Sequence, residues 1–171
     1  MSVIYLLFGK LVDILLLRRG PQDLPASSSL LAILILCNLI VGILLFSSQQ
    51  EGNPESLQSV VDMGLTLIMY TAVLHLRGVR ERVVQTLTAF TGTGLLLTLV
   101  LFPISLLLAS EGDSLFLSAG RLMFMALLIW SLAVDGHIFR HSLNTSMLVG
   151  TSCAVVIFIA RVYILESIWP G

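Results

Sequence analysis

The sequence predicts an all-α, polytopic membrane helical bundle: five transmembrane helices preceded by an N-terminal amphipathic interfacial helix. Three observations predict it. Of 171 residues, 57% are hydrophobic and only 11% are charged, whereas soluble domains carry about 25% charged residues. Five apolar runs, at about 30–46, 60–76, 87–109, 116–134 and 145–165, have the length of spans, since a bilayer core needs roughly 17–25 apolar residues per helix. Polar connectors separate these runs, and their Lys and Arg residues fall on one side only. The chain is thus a single membrane domain, 1–171.

The N-terminal run "SVIYLLFGKLVDILLL" is interrupted by Lys10 and Asp13 and is too short to span comfortably. At about 100° per residue, Ser2, Tyr5, Gly9, Lys10 and Asp13 gather in one sector. A helix over 3–17 lying in the membrane interface follows from that narrow polar stripe. The joint "RRGPQDLPASSS" then stops the helix with its prolines. The remaining connectors, "SSQQEGNPESLQS", "RGVRERVVQT", "SEGDS" and "GHIFRHSLN", are short. Neighbouring spans are therefore expected to run antiparallel and pack as one unit.

Five spans send Lys10, Arg18, Arg19, Arg77, Arg80, Arg82 and Arg140 to one side of the membrane. The opposite connectors hold Glu51, Glu55, Glu111, Asp113 and Glu166 and no Lys or Arg. The positive-inside rule places the N-terminus in the cytoplasm and the C-terminus outside, as in an integral protein of a bacterial inner membrane. A net charge of −1 provides no basic field for nucleic acid.

Three charges lie inside the spans: Asp62, Arg121 and Arg161. All fall within about two helical turns of the outer edge. Charges there cost a few kcal/mol, so they are expected to face the bundle interior as one cluster. On the last span, Ser146, Gly150 and Ala154 recur in the small-xxx-small pattern of a helix-packing face. Arg161 lies about 20° from Gly150 and Ala154 on a helical wheel, and Asp62 is its best-placed counter-charge. In the fourth span the wheel puts Asp135 with Arg121 and turns Trp130, His137 and His141 towards lipid. Pro103 is expected to kink the third span, with Ser105 helping to satisfy a freed backbone group.

Catalytic chemistry has no foothold. There is no nucleophile elbow, no Gly-rich phosphate loop and no converging pair of carboxylates, so no enzyme activity, metal or cofactor is expected. His75 with His137 as haem ligands, or His137 with His141 on a metal, are the rival readings. Cys37 and Cys153 sit in apolar runs and read as small buried residues.

In layout, the amphipathic N-terminal helix, the joint "RRGPQDLP" and five closely spaced spans resemble the Yip1-domain membrane proteins over the whole chain. The resemblance implies a non-enzymatic membrane adaptor, assembly factor or accessory subunit, partnered with the lipid bilayer and with another membrane protein or a further copy of itself. The acidic N-terminal motif of the family's eukaryotic members is absent, so their partners do not carry over. The alternative is a small oligomeric transporter or channel subunit using the Asp62/Arg121/Arg161 cluster.

Overall fold

The computed structural model describes residues 3–47, 55–108 and 114–169. The described elements are all helical: α1 (Val3–Leu15), α2 (Ser28–Ser47), α3 (Glu55–Leu76), α4 (Val83–Leu108), α5 (Ser114–Leu143) and α6 (Met147–Ile168). Short 3-10 turns at Pro21–Asp23 and Arg80–Arg82 precede α2 and α4. Among the described residues, four helices are long and apolar enough to cross a membrane. The apolar stretch Ser28–Leu44 of α2 falls short of that length. The outer faces are mostly apolar, with Ile33, Leu36, Ile68, Leu122, Ile129 and Ile159 all more than half exposed. Water would penalise such a surface and lipid does not, because the backbone polar groups are already satisfied within each helix. The chain is an integral membrane protein.

The helices close into a ring. Helix α5 packs against α4 and α6, α2 against α3 and α4, and α3 against α6. From α2 onward, sequence neighbours pack as antiparallel pairs with one exception: α3 and α4 touch only weakly, and α2 lies between them. The dense core sits at one end of this ring. Tyr70 of α3 stacks on Phe90 of α4 at 3.8 Å between centroids and 9° between planes, and Phe139 of α5 meets both rings edge-on. Leu74, Val134, Ile138 and Ala154 fill the space around them.

Helix α1 and the joint seal that end. Leu17 adopts a left-handed φ of 61°, and the Arg18 amide reaches back to the Asp13 carbonyl at 2.8 Å, which ends α1 two residues before the expected position. Ile14 is fully buried and Leu11 nearly so, packed on α4 beside Gly92. The polar stripe serves the fold. Lys10 Nζ donates to the Asp23 carbonyl at 2.6 Å, and Asp13 pairs with Arg19 at 3.0 Å. Gln85 Nε2 donates to the Leu24 carbonyl, and Arg82 Nη1 donates to the carbonyls of His141 and Ser142. These bonds tie the joint, the α3–α4 turn and the end of α5 together. The connectors richest in Lys and Arg thus meet at one end of the molecule.

The region expected to be the connector "GHIFRHSLN" is instead helical, and α5 runs on from the expected end at 134 to Leu143. His137 is covered by the joint and Ser142 by Thr86 of α4, while Arg140 stays exposed, so the helix continues beyond its apolar run. His137 is 5% exposed, and its Nε2 donates to the Arg19 carbonyl at 2.9 Å. The expectation that His137 faces lipid is overturned, because the chain folds back over that side of α5. Trp130 is exposed on the outer face. Asn144, at φ 50°, turns the chain, and Ser146 caps α6 by accepting from the Val149 amide.

That cap corrects the expected packing face. Ser146 is exposed and belongs to the turn, while Gly150, Ala154 and Ile157 are buried against α5 and continue the stripe towards Arg161. Contact there is backbone to backbone. A Cβ on Gly150 would meet the Gly136 carbonyl and lie 2.8 Å from the Arg140 nitrogen. A Cβ on Gly136 would lie 2.7 Å from Thr151 Cα. Pro103 sits within α4, where the Ser105 hydroxyl donates to the Phe102 carbonyl at 2.7 Å.

Candidate functional site

Where the aromatic core ends, the ring opens into a cavity of about 410 Å³. Each of α2 to α6 contributes to its wall, including Asn38 of α2, Asp62 and Tyr70 of α3, Thr91 of α4, Asp135 of α5 and Arg161 of α6. The volume falls in the range of about 300–1,000 Å³ that small-molecule sites occupy.

Arg161 continues the Gly150–Ala154–Ile157 stripe and so points at α3. Its Nε lies 3.2 Å from Asp62 Oδ1, and its Nη1 donates to Thr66 Oγ1 at 3.3 Å. Its guanidinium also lies 5.6 Å from the centre of the Phe158 ring, within cation–π range. The Arg161–Asp62 contact is an ion pair without hydrogen-bond alignment, and Asp62 Oδ1 is buried without a hydrogen-bond donor.

Arg121 does not join them. It is exposed on α5. The preceding Gly120 takes the contact with α4, where a Cβ would lie 3.2 Å from Leu107 Cβ and from Leu108 Cδ2. A residue about 100° further round the helix is left outside.

The second carboxylate is Asp135, one turn into the cavity from the aromatic core. Tyr70, held by its stack on Phe90, donates its hydroxyl to Asp135 Oδ2 at 3.1 Å. No ion pair among the described residues engages Asp135.

The smaller polar groups share one habit. The hydroxyls of Thr66, Thr91, Thr98, Ser105 and Ser131 each donate to a carbonyl of their own helix, at 2.7–2.9 Å. Asn38 spends its amide N–H on the Thr91 carbonyl at 3.0 Å. The single donor of each of these hydroxyls is used, Asn38 keeps a second amide N–H, and oxygen lone pairs are left for the cavity.

The histidines do not converge. His75 is exposed, with Nδ1 donating to the Thr71 carbonyl at 2.9 Å. His137 and His141 rings lie 4.5 Å apart, edge to face, with His137 engaged by the joint. Among the described residues no group of three or more His, Cys, Asp or Glu is placed to hold a metal ion.

Sequence reasoning missed Tyr70 and Asn38, and it placed Asp135 beside Arg121 instead of beside Tyr70. A signal for Asn38 existed, since a lone amide in the middle of an apolar run needs a partner within the bundle. Tyr70 gave none, because its role depends on a ring stack with another helix. Comparison with known proteins finds no matching family model, no matching curated protein and no matching solved structure.

Proposed function

We propose that this is a non-enzymatic membrane protein of the small transporter or channel-subunit type, which takes a solute into the cavity between its spans. The observation that carries the reading is the placement of Asp62, Arg161, Tyr70 and Asp135 around a cavity of about 410 Å³ at the level of the spanning helices. Ionisable groups within a membrane are expensive, and a cavity lined with them marks a solute or ion path. An adaptor or assembly role, which the Yip1-like layout implies, would leave that cost without a return.

Five spans, counting α2, with the N-terminus in the cytoplasm complete the proposal. The meeting of the joint, the 77–82 turn and the α5–α6 turn at one end supports it. Reporter fusions after Gly78 and after Asp113 are expected to report cytoplasm and exterior respectively. Both fusions reporting the same side would end this topology.

The transport reading has its own test. In a Cys37→Ala/Cys153→Ala background, Ser131→Cys and Thr98→Cys place single thiols on the cavity wall. Membrane-impermeant maleimide, added to intact cells or to inverted vesicles, is expected to label them from both faces. Labelling from one face only, or from neither, overturns transport through this cavity.

A further inference from the structure

We infer that the cavity recognises a small, singly charged primary amine with an apolar body, its ammonium group seated on Asp135 beside the Tyr70 hydroxyl. The inference rests on the reading of the cavity as a solute site and names the class of solute.

Charge is the first argument. Two carboxylates, Asp62 and Asp135, share the cavity with one guanidinium, Arg161. Arg161 is committed to Asp62 and Thr66 and lies against Phe158. With both carboxylates ionised the site is one positive charge short, and Asp135 is the group left without a cation. An uncompensated charge in a low-dielectric site is costly, so a ligand that brings one positive charge offsets part of that cost, less its own desolvation.

Hydrogen-bonding capacity is the second. Five wall hydroxyls donate to their own helices, Tyr70 donates to Asp135, and Asn38 donates to Thr91. These groups offer acceptors, and the buried Asp62 Oδ1 lacks a donor. A primary ammonium carries three N–H donors and no acceptor, which complements such a wall. Among the described residues an anion would find few donors: the second Asn38 N–H and a guanidinium already engaged by Asp62.

Wall chemistry is the third. Tyr70, Phe90, Phe124 and Phe158 line the cavity along with Leu and Ile side chains. Aromatic faces attract cations within about 6 Å of the ring centre, and the apolar wall accommodates a hydrocarbon body.

Three probes of nearly one shape test the inference on the full-length protein in detergent: 2-phenylethylammonium, the hydrocarbon propylbenzene and the anion 3-phenylpropanoate. The ammonium is expected to raise the melting temperature with a saturable concentration dependence, and the other two are not. Asp135→Asn keeps an acceptor for the Tyr70 hydroxyl and is expected to weaken the ammonium's apparent affinity on the order of tenfold to a hundredfold. Equal shifts from ammonium and hydrocarbon, a larger shift from the anion, or no shift from any probe would each overturn the inference. So would undiminished binding by Asp135→Asn. The three-probe comparison needs no variant, so it decides the matter even if Asp135→Asn fails to fold. Maleimide labelling reports separately on access to the cavity, so a failed amine leaves the solute-site reading standing or falling by itself.

Discussion

Gly150→Ala and Gly136→Ala are expected to destabilise the protein severely, while the same change at Gly42 or Gly64 is expected to stabilise it slightly. All four glycines lie within helices, and Ala is favoured over Gly in a helix interior by about 1 kcal/mol. At Gly42 and Gly64 a Cβ meets nothing within 4 Å, so the propensity gain is kept. At Gly150 the added carbon would strike the Gly136 carbonyl and the Arg140 nitrogen, and at Gly136 it would strike the backbone of Thr151. Backbone cannot rotate out of the way as a side chain does, so α5 and α6 must separate. Overpacking of a tight interface costs about 1–3 kcal/mol and more where nothing yields, and these two sites are of the second kind. Separation would also pull the end of α5 away from the joint, since His137 and Phe139 lie on the same stretch of helix. Melting temperatures in detergent check the contrast. If Gly150→Ala melts with Gly64→Ala, the α5–α6 crossing is looser than the geometry states.

The second large effect belongs to the ion pair. Asp62→Asn and Arg161→Leu are each expected to lower stability by about 3 kcal/mol, at the low end of the range for removing one member of a desolvated pair. The low end applies because the two side chains keep 34% and 28% of their surface, and both line the cavity. Each single change strands a charge. Arg161 without Asp62 retains direct contact with the Thr66 hydroxyl and the Phe158 ring among the described residues, and Asp62 without Arg161 loses its only ion pair among them. The double variant strands neither and is expected to recover part of the loss, so a double-mutant cycle should show coupling of about 1–3 kcal/mol. Strict additivity would mean that the pair is a proximity of two charges without energetic consequence. Arg121→Gln serves as the reference and is expected to change little, because Arg121 is exposed on α5 away from the cavity.

Much of the fold was legible from residue order. Apolar runs located α2 to α6, since a helix in lipid satisfies its backbone internally and shows an apolar surface, although the stretch in α2 is shorter than the other four. The pairing of Arg161 with Asp62 was legible too, because Gly150 and Ala154 mark the packing face and Arg161 lies on the same stripe. Arg121 defeated the same reasoning. A wheel reports which residues share a face, and which face turns inward depends on where Gly120 meets α4.

The sequence alone determined that this chain is a helical membrane protein, where its apolar helices lie and that Arg161 must find an acid. These follow from transfer free energies and helical periodicity, which are properties of residues taken in order. Only the tertiary structure decided that α2 comes between α3 and α4, that α1 and the joint cover His137, and that Tyr70 meets Asp135 at the floor of a cavity. Those depend on contacts between distant segments: the Tyr70–Phe90 stack, the Arg19 carbonyl on His137 and the Gly136–Gly150 crossing. Polar residues within "GHIFRHSLN" read as a connector because polarity at the end of an apolar run marks the water boundary. Here the joint lies over His137, and a buried hydrogen bond to the Arg19 carbonyl takes the place of water.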